Sequence, residues 1–158
     1  MRRVDETSVI SESPEETEAL GERLAELLPA GTVLALYGDL AAGKTCLVRG
    51  MARAFGDSGV HSPTFTLVNA YGTAERRLLH VDLYRLQDPG ELAELGFEDI
   101  FDPTGICALE WPERASALLP DRRVDLFLEH LSENERRIRM LDVGGVLGAA
   151  KIRELFGS

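Results

Sequence analysis

Leucines at positions 20, 24, 27 and 28 recur at the i, i+4, i+7, i+8 spacing of one buried helix face. Ser13-Pro14-Glu15-Glu16 ahead of them supplies an N-cap, a proline at the first helical position and a glutamate that closes a capping box. Pro29-Ala30-Gly31 stops the helix at about Leu28. Residues 32–37 form a continuous apolar run too short for a helix and bounded by Gly31 and Gly38, the pattern of a central strand buried on both faces. A second helix is expected over residues 44–55, ended by Gly56-Asp57-Ser58-Gly59. Strand-like runs at 66–71 and 78–83 are joined by Gly72-Thr73-Ala74-Glu75 and predict an antiparallel pair. Residues 88–102 read as an acidic helix, Ile106-Cys107-Ala108-Leu109 as another buried strand, and residues 115–119 as a short helix. Strands at 123–129 and 136–141 precede a final helix over 146–156. There is no internal repeat. Strands interleaved with helices, with the glycine-rich segment Gly38-Asp39-Leu40-Ala41-Ala42-Gly43-Lys44-Thr45 directly after a buried strand, predict a three-layer α/β domain of the P-loop NTPase type, its sheet mainly parallel with antiparallel edge strands.

The 158 residues fit one domain spanning the whole chain. Hydrophobic residues make up 44% and charged residues 28%, and no apolar run approaches the roughly 18–20 residues that span a bilayer. Met1-Arg2-Arg3-Val4-Asp5-Glu6 turns acidic at once and lacks the apolar stretch of a secretory signal, so a cytoplasmic, membrane-free protein is expected. A net charge of −10 disfavours direct, strong DNA or RNA binding. Cys46 and Cys107 lack metal or redox spacing and read as small core thiols.

Gly38-Asp39-Leu40-Ala41-Ala42-Gly43-Lys44-Thr45 follows a strand and opens a helix. That is the context in which a glycine-rich turn wraps backbone N–H groups and a helix N-terminus around a phosphate chain. Lys44 suits the β- and γ-phosphates and the Thr45 hydroxyl suits magnesium. Lys44 is one of only two lysines, the other being Lys151, which makes coincidence less credible. A magnesium-side acid belongs at the carboxyl end of a neighbouring strand, where Asp82 and Glu110 both stand. Alternation puts His80, Asp82 and Tyr84 on one strand face, with Arg85 next to them. Ser62-Pro63-Thr64-Phe65-Thr66 is a hydroxyl-rich loop stiffened by proline, positioned for a switch segment. His61, His130 and the pairs Arg122-Arg123 and Arg136-Arg137 read as loop or surface residues, and Trp111 adjoins Glu110. No N-K-x-D segment is present to read guanine, so ATP is preferred over GTP.

Four segments in order, residues 38–45, residues 62–69, His80-Val81-Asp82-Leu83-Tyr84-Arg85-Leu86 and Glu110-Trp111-Pro112-Glu113, closely resemble the bacterial TsaE family, also called YjeE. The resemblance covers nearly the whole chain. It implies an ATPase subunit for making threonylcarbamoyladenosine beside the tRNA anticodon, working with TsaD and TsaB and meeting tRNA only through that complex. The subunit does not form the modified base; its ATP cycle drives or resets its partners. Slow hydrolysis alone, acceleration by partners, and a monomer or weak self-association are the expectations that follow. By the same resemblance Thr45 and Glu110 are magnesium ligands, Asp82 is a catalytic or metal-side acid, and Thr64 and Thr66 lie in a switch-like loop. Thr17 is similar to the family's N-terminal nucleotide-side threonine and Arg137 to a late nucleotide-contacting basic residue, while Cys46 extends the phosphate-loop contacts. Ala41 stands where the family usually has glycine; a positive φ there would add strain of about 1 kcal/mol.

Two other readings of the residues stay open: a small-molecule kinase with Asp82 as the acceptor-side base, and a nucleotide-gated binding module with negligible hydrolysis.

Overall fold

A computed structural model describes residues 1–39, 41–56, 68–73, 75–84, 86, 88, 90 and 101–157. The expected helix over 88–102 and the 62–66 loop fall largely or wholly outside the described residues. So do Leu40, His61, Thr64, Thr66 and Arg85. The element order is β1 (Arg2–Asp5), β2 (Ser8–Ser11), α1 (Pro14–Leu27), β3 (Val33–Tyr37), α2 (Lys44–Ala54), β4 (Val68–Gly72), β5 (Arg77–Asp82) and β6 (Ile106–Glu110). A 3₁₀ segment (Pro112–Leu118) follows, then β7 (Arg123–His130), β8 (Arg136–Val143) and α3 (Ala149–Phe156).

The eight strands form one sheet in the order β1-β2-β8-β7-β3-β6-β5-β4. β7, β3, β6 and β5 run parallel at its centre. Antiparallel pairs flank them, β4 on β5 at one side and β1, β2 and β8 at the other. The antiparallel part is therefore larger than expected and the sheet is mixed. β1 and β2, which the sequence reading did not identify, supply one whole edge.

α1 begins where the capping signals place it. The Glu16 N–H donates to Ser13 Oγ at 3.1 Å, while the Glu16 carboxylate reaches one residue past the cap and accepts the Glu12 N–H at 2.7 Å. The expected helix over 115–119 is a 3₁₀ stretch kinked at Ala115, where φ is −142°. The last helix starts later than expected because the Asp142 carboxylate accepts the N–H groups of Val146, Leu147 and Gly148, tying these residues into a turn.

Strand alternation sorts the core into two layers. Leu34, Leu36, Leu78, Ile106, Ala108 and Leu126 face the helices α1, α2 and α3, while Val33, Val81, Cys107 and Leu109 face Ala115 and the 3₁₀ segment. Burial pushes the Cys107 thiol up, so it is an inert core group as the sequence implied. α1 and α2 approach at two glycines. A Cβ on Gly50 would lie 1.8 Å from the Glu18 carbonyl oxygen, and one on Gly21 would lie 2.1 Å from that of Leu47. Glu18 closes the same contact by pairing with Arg49 and Arg53. Partial burial raises the Glu18 pKa, but the two guanidinium groups outweigh it and hold the carboxyl below its ordinary range.

Two predictions follow. Gly50→Ala should destabilise the protein by about 3 kcal/mol or more in urea titrations, because only backbone can yield. A depressed carboxylate pKa gives stability that is present above its unfolded value and lost as pH falls through the folded one. Glu18→Gln should therefore lose less stability than the unmodified chain between about pH 5 and pH 3, measured by urea unfolding.

Candidate functional site

Parallel strands leave their carboxyl ends at one edge, and here β3, β5 and β6 all end beside the start of α2. β3 runs through Tyr37 into Gly38, whose φ of 150° and neighbours admit no side chain: a Cβ would meet the Leu128 carbonyl oxygen at 2.5 Å. The Ala42 N–H donates to the Asp39 carbonyl at 3.0 Å, turning the chain. Gly43, with φ 96°, then caps α2 with no side-chain hydrogen bond to the first-turn N–H groups. A helix N-terminus left open in this way is a seat for an anion.

Lys44 opens α2 and is only 3% exposed. Its ammonium donates to the Gly38 carbonyl at 2.6 Å and lies 3.9 Å from the centre of the Trp111 ring. Burial pulls its pKa below the ordinary lysine value, against the opposing pull of Glu110, Glu113, Asp82 and Asp39. Four acids act electrostatically on this desolvated ammonium.

Asp82 and Glu110 lie directly opposite each other in the β5–β6 register, and alternation turns both toward α2. Like charges in that position repel. Glu110 is 6% exposed and is contacted through its Oε2 by His80 Nε2. Asp82 is half-buried and accepts the Tyr84 N–H at 2.9 Å. Thr45 is half-buried one residue past Lys44. These groups, hard oxygen donors beside a phosphate-binding turn, are the chemistry that magnesium takes. Trp111 is the only non-glycine residue with positive φ (58°) among those described, and Tyr84 packs on it at 5.1 Å. The expectation about Ala41 turns on a φ defined through Leu40, which lies outside the described residues.

A crevice beside the turn is lined by Pro14, Thr17, Gly43, Cys46, Glu133, Asn134 and Arg136. Thr17, 2% exposed, shares a 2.7 Å hydrogen bond with Ser11 Oγ. Cys46 is half-buried on this crevice, which corrects the expectation of a core thiol. Arg137 lies elsewhere, exposed and paired with Glu129 at 3.3 Å. Its neighbour Arg136 is the residue at the crevice, with Nη1 donating to the Ser132 and Glu135 carbonyls and a buried Nε that has no partner among the described residues. Parity along β8 carries the signal: Ile138 and Met140 face the helices, so Arg136 shares their side and Arg137 does not. His80 as the partner of Glu110, and Glu133 and Asn134 in the crevice, also escaped the sequence reading. A separate pocket of about 240 Å³ opens at the other end of the strands, lined by Leu28, Phe55, Glu75, Arg76, Thr104 and Ile106, and Lys44, Asp82 and Glu110 are not part of it.

The chain matches the family model described as "Threonylcarbamoyl adenosine biosynthesis protein TsaE" over residues 11–138. It is 37% identical over 133 residues to the tRNA threonylcarbamoyladenosine biosynthesis protein TsaE of Bacillus subtilis, covering 84% of this chain and 83% of the relative. The protein of that name from Aquifex aeolicus is 42% identical over 137 residues, covering 84% and 93%. The crystal structure of YdiB from Bacillus subtilis superposes with a TM-score of 0.76 at 30% identity, covering 94% of this chain and 92% of that one.

Because burial of the Lys44 charge opposes folding, Lys44→Met should leave the nucleotide-free protein at least as stable in thermal unfolding. The same change should weaken ATP binding about 10- to 100-fold by calorimetry.

Proposed function

The chain belongs to the TsaE family, and from that premise we propose that it is a magnesium-dependent ATPase subunit supporting threonylcarbamoyladenosine formation in tRNA through TsaD and TsaB. The observation that carries the ATPase reading is the buried Lys44 ammonium at an open helix N-terminus, facing two strand-end carboxylates in register. The turn from Gly38 to Thr45 takes the phosphate chain on its backbone N–H groups. Lys44 exchanges the Gly38 carbonyl for phosphate oxygens. Thr45 and Glu110 would hold magnesium, which when bound neutralises charge building on the β- and γ-phosphate oxygens. Asp82, less buried than Glu110 and beside it, orients the attacking water.

The nucleoside end enters the crevice between Thr17, Cys46 and Arg136, which Glu133 and Asn134 also line. No described helix is long and apolar enough to cross a membrane. The relatives' names place them in threonylcarbamoyladenosine biosynthesis, and the same role is proposed for this chain. Its ATP cycle changes the state of partner proteins and does no chemistry on the base. The net charge of −10 agrees with contact to protein and not directly to tRNA.

Reconstitution tests this reading. Phosphate release should be slow from the protein alone and rise when TsaB and TsaD are added; turnover unchanged by saturating partners would remove the coupled role. Asp82→Asn should lower stimulated turnover by about 100-fold or more while ATP still alters Trp111 fluorescence, separating the water-orienting role from binding.

A further inference from the structure

We propose that His80 is a positioning residue for Glu110: its Nε2–H fixes one carboxylate oxygen so that the other stays directed to the magnesium-binding side of the site. The proposal rests on the assignment of Glu110 as a magnesium ligand. Its observations are local to β5 and β6. His80 is 1% exposed and lies in register with Ala108, so its ring reaches diagonally across the two strands to Glu110 Oε2. A carboxylate can only accept, so Nε2 carries the hydrogen. The Glu110 carbonyl is held from the same direction, by the Leu83 N–H at 3.0 Å. Both ends of Glu110 are thus anchored to β5 and its continuation, while the repulsion from Asp82 directly opposite would otherwise turn the side chain away.

A purely structural role accounts poorly for histidine here. On its face His80 lies between Leu78 and Asp82 along β5, beside Ala108 of β6 and opposite Asn69 of β4. His80 Nδ1 is buried with no hydrogen-bond partner among the described residues, an arrangement that disfavours the folded state and that leucine would avoid. What the histidine supplies in return, among the described residues, is its bond to Glu110. Outer partners of metal ligands typically change metal affinity 10- to 100-fold when removed.

The test measures binding of a non-hydrolysable ATP analogue by calorimetry across a magnesium series and in EDTA, for the unmodified chain, His80→Leu, His80→Ala, His80→Gln and Glu110→Gln. Leucine fills the volume without a donor, alanine removes both, and glutamine restores an N–H at about the reach of Nε2. The expected result is a 10- to 100-fold rise in the magnesium concentration for half-maximal effect in whichever of the leucine and alanine variants folds, unchanged metal-free affinity, and recovery in His80→Gln. An equal loss of affinity with and without magnesium, or a magnesium dependence unchanged in the donor-less variants, overturns the proposal. If His80→Gln alone folds, magnesium dependence close to that of the unmodified chain supports the proposal and a shift as large as that of Glu110→Gln overturns it. Glu110→Gln separates the two levels. If it too leaves the magnesium dependence unchanged, the magnesium assignment falls and takes the proposal with it; if it shifts while the donor-less His80 variants do not, only the positioning role falls.

Discussion

Everything at the carboxyl end of this sheet is arranged around one buried ammonium. Lys44 is desolvated, bonded to the Gly38 carbonyl and laid on Trp111, with Glu110, Glu113, Asp82 and Asp39 acting on it electrostatically. A single lysine does not balance that many carboxylates, and two of them face each other across β5 and β6. Among the described residues the site sets clustered carboxylates beside an open helix N-terminus. In the proposed role a magnesium-bound nucleotide would supply both complements at once, joining the phosphate turn and the strand-end acids in one site.

The rest of the fold fixes the position of that ammonium. α2 carries Lys44 on its first turn, and glycines 21 and 50 let α1 lie against α2 with backbone in contact, so neither helix can slide without collision. The Glu18 pairs with Arg49 and Arg53 fasten the same contact at its polar margin. The antiparallel flank has a different use. β2 pairs with β8, Ser11 opposite Arg136, and so sets Thr17, bonded to Ser11, and Arg136 at the crevice beside Gly43.

How much of this was legible in the sequence follows from the range of each signal. α1, β3, α2 and β6 are set by periodicity and caps within a dozen residues, and the phosphate turn by spacing alone, so these came through clearly. The opposition of Asp82 and Glu110 depends on inter-strand register; their positions at strand ends were readable, but not that they face each other. β1 and β2 are four residues each, and β2 is buried at every position, so neither shows the alternation that identifies a strand. Arg136 was obscured by its neighbour Arg137 because a one-residue shift reverses the face of a strand side chain. His80 pairs with Glu110 across thirty positions of sequence, beyond any local pattern.

The central claim, that Lys44 and the two facing carboxylates form one magnesium-nucleotide site, is tested most directly by a crystal structure of this protein with a non-hydrolysable ATP analogue and magnesium. The account predicts phosphates on the turn from Gly38 to Thr45, Lys44 Nζ moved from the Gly38 carbonyl onto phosphate oxygens, and magnesium between Thr45 and Glu110 with Asp82 beside it. Nucleotide bound at the opposite end of the strands, or magnesium held without Glu110, would contradict it.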